Sequence, residues 1–148
     1  MIRIARHEDM SRLVEMGHEF LAETSLAKFT EIDDATATKM LAGMIEMDTA
    51  VVFVAEEETI VGFIGGLVYP FYFNIAHMTG QELFWWVEPA YRKGHGGQLF
   101  KALEVWAREM GAKTFTMMAL DSNRPDTVVA VYKRAGYTPS ERSFIKEL

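Results

Sequence analysis

The stretch "VEPAYRKGHGGQLFKALEVWAREMG", residues 87–111, decides how the rest of the chain is read. Gly94, Gly96 and Gly97 fall within four residues, and Leu99, Leu103, Trp106 and Met110 then recur at i, i+4, i+7 and i+11. That spacing predicts an amphipathic helix with Gly111 at its C′ position. Just upstream, "QELFWWVEP" (81–89) is apolar on both faces, which predicts an interior strand ended by Pro89. The junction is therefore strand, glycine turn, helix. A helix start carries unpaired N–H groups and partial positive charge, and bare glycines let an anion approach them closely. Taken alone, the glycines are explained as simply by a tight turn without a ligand.

Working outward, "IRIA" (2–5) reads as a short strand. Met10, Leu13, Val14, Gly17, Phe20 and Leu21 share one helical face, with Asp9 near the helix start. Asp33 or Asp34 supplies an N-cap for a second helix marked by Ala37, Met40, Leu41, Met44 and Ile45. Residues 50–70 predict two strands about a turn at Glu56–Thr59, rich in β-branched and aromatic side chains. "FYFNIAHMTG" (71–80) reads as an aromatic connection, "KTFTMMAL" (113–120) as a strand and "RPDTVVAVYKRAG" (124–136) as a helix closed by Gly136. The tail "YTPSERSFIKEL" is expected to hold one or two short strands. The order β-α-α-β-β-β-α-β-α-β(-β) defines a mixed α/β domain over 1–148. It is not doubly wound, because the middle strands lie too close together for helical crossovers.

The chain has 148 residues, about half of them apolar and a quarter charged, with no cysteine and a net charge of −6. This suits one domain with a sizeable core. A disulfide framework and a thiol nucleophile are both excluded. An acidic balance disfavours a nucleic-acid partner and suits cationic substrates. No run of 18 apolar residues predicts a membrane span, and "MIRIARHEDM" has no signal-like apolar core, so a cytoplasmic location is expected.

Two phosphate motifs are absent. No glycine is followed by Lys-Ser or Lys-Thr, as Walker A requires, and the third glycine of the dinucleotide fingerprint is replaced by Leu99. The junction instead resembles the acyl-CoA-binding signature of the GCN5-related N-acetyltransferases (the GNAT superfamily), [QR]-x-x-G-x-[GA]. Members often read "V-x-P-x-Y-R-G-K-G-I-G". Here Val87-x-Pro89-x-Tyr91-Arg92-Lys93-Gly94-His95-Gly96 is close, with one residue fewer after Pro89. The preferred register sets Gly94 and Gly96 on the motif glycines and Tyr91 on the first position. The other sets Arg92 there, with His95 and Gly97 on the glycines. The element order follows the family over most of the chain.

The resemblance implies transfer of an acetyl group from acetyl-CoA to a primary amine, by direct attack and without a metal. It also implies a splayed strand whose free backbone groups, at Trp86 and Val87, pair with the pantetheine arm. The diphosphate would lie on the turn formed by Arg92, Lys93, Gly94, His95, Gly96, Gly97 and Gln98. Glu82, a carboxylate among aromatics, is the candidate base, since burial raises a carboxyl pKa. Its alternative is an edge glutamate reaching solvent or held by a structural hydrogen bond. Tyr132, in "AVYKRAGY", matches the family tyrosine that protonates the departing thiolate; its alternative is core packing. Asn123, in "DSNRP", matches an asparagine set against the cofactor arm, in ordinary turn composition. Tyr69, Phe71, Tyr72 and Phe73 are expected to form an acceptor wall, a dimer contact or a core cover. His7, His18 and His77 have no metal-ligand spacing with carboxylates. Three rival functions follow: a non-catalytic acyl-CoA sensor, an acetylating toxin acting on aminoacyl-tRNA, and a small phosphate-binding protein.

Overall fold

The computed structural model describes residues 1–121 and 125–148. Five strands form one sheet in the order β1-β2-β3-β4-β5: Ile2–Ile4, Ala50–Glu56, Ile60–Phe71, Asn74–Val87 and Thr114–Thr116. The first three pairings are antiparallel and β4 pairs with β5 in parallel. Helices α1 (Met10–Ala22) and α2 (Asp34–Glu46) follow β1, α3 (Arg92–Glu109) follows β4, and α4 (Pro125–Arg134) follows β5.

Alternation along the strands produces two cores. Val52, Val54, Phe63, Phe84 and Trp86 face Leu13, Met16, Leu41 and Met44 of α1 and α2. Val51, Ala55, Ile64 and Val87 face Leu99 and Leu103 of α3. Period-two strands between two helical layers require this division. Asp33 caps α2 by accepting from the Thr36 N–H at 2.8 Å. Gly111 and Gly136 take φ of +85° and +91°. At each, the next residue's N–H reaches back five positions, Ala112 to Ala107 and Tyr137 to Tyr132, both at 3.0 Å.

Three expectations need correction. The aromatic stretch after Phe71 is not a long connection. β3 and β4 run through it and turn at Tyr72–Phe73, because aromatic residues suit a paired strand. β5 stops at Thr116 rather than continuing to 120, because the Met118 N–H is given to the Glu82 carboxylate instead of to a β4 carbonyl. The tail forms no strand. Residues 138–148 are all exposed, and Phe144 and Ile145 are adjacent rather than alternate, so they offer no single face to bury.

β3 and β4 approach so closely that Gly65 has no room for a side chain. A Cβ there would lie 2.2 Å from Phe84 Cζ, in a ring already packed at 4.9 Å on Phe63. Gly65→Ala should lower stability by ~1–3 kcal/mol through overpacking. The measurement is a denaturant midpoint that falls while the slope stays constant.

Candidate active site

The site begins where β4 and β5 part. The strands pair from Thr79–Thr114 to Gln81–Thr116 and no further. The remaining half of β4, Glu82 to Val87, has β3 on one edge and an open slot on the other. A bulge between Gly65 and Gly66 leaves Leu83 without an opposite residue at the same point. Just past the strand the Glu88 N–H bonds to Val61 O at 2.8 Å. Antiparallel alternation then turns the N–H and C=O of Val87 and Trp85 toward the slot, and those of Trp86 toward Phe63. Val87 thus lies on the slot edge as expected, but Trp85 takes the place assigned to Trp86. The alternation phase is set by the Glu88–Val61 bond, which no sequence pattern carries. The Trp86 ring instead packs on the α1–α2 side, and its Nε1 donates to Glu23 Oε1 at 3.1 Å.

Glu82 and Tyr132 converge on the backbone of one residue, Met118, through its two successive peptide groups. Met118 N–H donates to Glu82 Oε2 at 3.0 Å, and Tyr132 Oη donates to Met118 O at 2.7 Å. Glu82 is 4% exposed. Burial pushes its carboxyl up to about 7, against a smaller opposing pull from the Met118 N–H. Tyr132 is buried between rings, 6.1 Å from Phe100 and 6.2 Å from Trp85. Burial, then the nearby charges of Glu82 and Tyr137, raise its phenol above the usual range. Met118 was not singled out in the sequence, since a residue that acts through its backbone leaves no side-chain signal.

The glycine turn is a kink at the start of α3. Lys93 (ψ +103°) and Gly94 (φ +105°) are non-helical, and regular helix follows. Gly94 therefore needs to be glycine. Gly97 has nothing within 4 Å of a notional Cβ, and at Gly96 such an atom would stand 3.4 Å from the Trp85 ring. Lys93 and Gln98 are exposed. Both ring nitrogens of His95 face acceptors, Tyr91 O at 3.1 Å and Glu57 Oε1 at 2.5 Å, which ties the β2–β3 turn to the helix start. Arg92 points backward rather than at the turn. Its Nε donates to Val87 O at 2.8 Å and its Nη2 to both Glu23 oxygens at 2.7 Å. Asn123 lies outside the described residues.

Tyr72 and Phe73, 72% and 84% exposed, pack at the hairpin tip with centroids 4.5 Å apart and ring planes tilted by 56°. The tip lies six residues along β3 from Gly66, the partner of Glu82, roughly 20 Å away at about 3.3 Å per residue. Neither ring walls the Glu82 site. Tyr69 stands nearer and donates to Gln81 Oε1 at 3.0 Å. A groove of about 780 Å³ runs along the other flank of α3 and reaches the turn only through Gly94, Gly97 and Gln98. Ile2, Ile4, Phe53 and Val105 line it, whereas Tyr132 packs on Phe100 across the helix, and neither Glu82 nor Tyr132 lines the groove. Among the described residues, no group of three or more His, Asp or Glu could hold a metal ion, and no helix is long and apolar enough to cross a membrane.

A mixed sheet with a parted parallel pair and a kinked glycine helix start beside it define an acyltransferase-type fold. The profile of the Acetyltransferase (GNAT) family matches residues 13–137. The chain belongs to that family. No curated protein matches it. Among solved structures, the aminoglycoside acetyltransferase AAC(6')-Iy, in complex with a CoA-containing bisubstrate analogue, superposes with a TM-score of 0.79 at 16% identity, covering 100% of this chain and 97% of that one. A transcriptional regulator from Bacillus halodurans C-125 gives 0.79 at 20% identity over 100% and 99%. A predicted acetyltransferase from Clostridium acetobutylicum, with acetyl-CoA, gives 0.76 at 21% identity over 99% and 95%. These likenesses establish a shared fold.

Proposed function

We propose that the chain transfers an acetyl group from acetyl-CoA to a primary amine, both substrates being held together. The observation that carries this reading is the convergence of Glu82 and Tyr132 on Met118, beside the unpaired half of β4. The residues present fit the co-substrate. The slot-facing N–H and C=O of Trp85 and the N–H of Val87, whose carbonyl is held by Arg92, offer a strand-like partner for the amides of a pantetheine arm. The α3 start offers unpaired N–H groups, with Gly97 open to solvent, to a diphosphate. Lys93 and Gln98 stand beside them, and Asn123 is proposed to border the arm.

Acetyl-CoA supplies the activated acetyl thioester. The amine must first lose a proton, since an alkylammonium with pKa about 10.4 has no lone pair to give. Glu82, pushed up to about 7, takes that proton directly or through water, a transfer uphill by about 3 pK units against about 6 for a carboxyl of ordinary pKa, because burial favours its neutral form. Nitrogen bonds to the acetyl carbon, the C–S bond breaks, Tyr132 passes its hydroxyl proton to sulfur, and the second proton that nitrogen sheds in becoming an amide restores the Tyr132 hydroxyl. The two residues are coupled. The negative charge of Glu82 is one cause of the raised Tyr132 pKa, so neutralising Glu82 makes Tyr132 the better acid as the leaving group needs it.

A panel of amines, assayed for acetyl-CoA-dependent thiol release, tests the reading. Aminoglycosides belong on the panel because several structural neighbours are acetyltransferases of that class. Polyamines and peptide N-termini complete it. Tyr132→Phe should slow thiol release about tenfold while acetyl-CoA affinity holds. A variant as fast as its parent would return Tyr132 to packing. One observation favours a non-catalytic acyl-CoA sensor: the Tyr132 hydroxyl is already engaged by Met118 O. Binding of acetyl-CoA without thiol release from any amine would select that alternative.

A further inference from the structure

The α1–α2 connection spans the slot. Glu23 closes α1 as its C-cap residue, with its N–H bonded to Phe20 O at 3.2 Å. Its Oε1 accepts from Trp86 Nε1 on β4, and both of its oxygens accept from Arg92 Nη2 at the head of α3. Next in sequence, Thr24 is buried and its hydroxyl donates to Leu21 O at 2.9 Å. Ser25 N–H then donates to Asp121 O, beyond the end of β5, at 3.2 Å. Glu23 and Ser25, with Thr24 anchored between them, thus tie together the two sides that part after Gln81 and Thr116.

From this we infer that Glu23 is a positioning residue for the pantetheine slot, and that Arg92 serves the slot edge rather than the diphosphate. The inference rests on the acetyl-CoA reading above. The chain of contacts is short. Glu23 fixes the Arg92 guanidinium by a two-oxygen grip, and Arg92 Nε in turn fixes the carbonyl of Val87, one of the two slot-facing residues. A planar guanidinium with its Nε and one Nη committed in this way is poorly placed to reach the exposed turn. Losing Arg92 frees the Val87 carbonyl, and losing Glu23 unties the strap from Trp86 and leaves Arg92 unanchored, so in either case the slot edge must be ordered at the moment of binding.

The test is a double-mutant cycle, Glu23→Ala, Arg92→Ala and the pair, with Glu23→Gln as a milder variant that keeps an acceptor oxygen. KM and kcat are measured with acetyl-CoA and with acetyl-pantetheine, which lacks the phosphates. Each single change should raise KM about tenfold for both donors with kcat nearly constant, as expected for a charged hydrogen bond lost at the slot. The double variant should be no worse than either single one. Glu23→Gln should fall between parent and Glu23→Ala. If Arg92→Ala weakens acetyl-CoA but not acetyl-pantetheine, Arg92 holds phosphate and the inference fails. Additive effects, or a Glu23→Ala variant with unchanged KM, also overturn it. Calorimetry with the unmutated protein separates the two levels. Without heat on CoA addition both readings fall, whereas normal binding with additive variants removes only the role of Glu23.

Discussion

Glu82→Gln is expected to cut turnover about 10²-fold at saturating substrate and to leave acetyl-CoA affinity almost unchanged, the usual cost of losing a positioned base. Glutamine preserves the shape and can still accept from the Met118 N–H, so the β4–β5 parting should persist. What disappears is a site that can take a proton. Glu82 must be ionised to act, so kcat/KM of the parent should fall as pH drops below about 7, and the variant should lack that limb. The same group affects stability with the opposite sign. Its folded pKa of about 7 lies above the ordinary 4.5, so its contribution is fully favourable below about pH 4.5 and is lost as pH rises to about 7. Above that range the parent carries a buried charge that the variant lacks. Glu82→Gln should then be the more stable protein at pH 8, by on the order of 3 kcal/mol at most, and equal to the parent at pH 4. Slower turnover with higher stability is a combination that a packing role would not produce. Unchanged turnover at pH 8 would remove Glu82 from the chemistry.

Gly94→Val is expected to raise KM for acetyl-CoA tenfold or more and to lower thermal stability, with kcat close to that of the parent. At φ +105° a β-branched residue is forced out of its allowed regions at a cost of ~1–2 kcal/mol or more. Relief comes by unwinding the kink, which rotates the first amides of α3 away from their common direction. Those amides are the groups proposed to meet the diphosphate, and they act only when aligned. Acetyl-pantetheine has no phosphates, so its KM should change far less. An equal loss with both donors would mean that the kink supports the slot and not the diphosphate.

The two largest effects fall on residues legible in the sequence. Glycines before an apolar helical stripe, and a glutamate inside an aromatic strand, are local patterns that report local physics. Helix ends were legible for the same reason, as at Asp33, Gly111 and Gly136, where capping depends on neighbours within five residues. The extent of β3 and β4 was less so. Tyr72, Phe73 and Asn74 have the composition of either a strand turn or a loop, and only the partner strand decides. The tail was misread because strand propensity without a ladder partner orders nothing.

The sequence by itself determined the family-like order of elements, the glycine helix start, and the two side chains proposed to move protons. Each depends on spacing along the chain. Tertiary structure alone decided which backbone groups face the slot. The Glu88–Val61 bond sets the alternation, so Trp85 rather than Trp86 lies on the open edge. It also decided that Arg92 turns back to Glu23, 69 residues away, and that Glu82 and Tyr132 both bond to the backbone of Met118. Such pairings are made between segments distant in sequence. Their strength comes from burial and alignment, which exist only after the chain has folded.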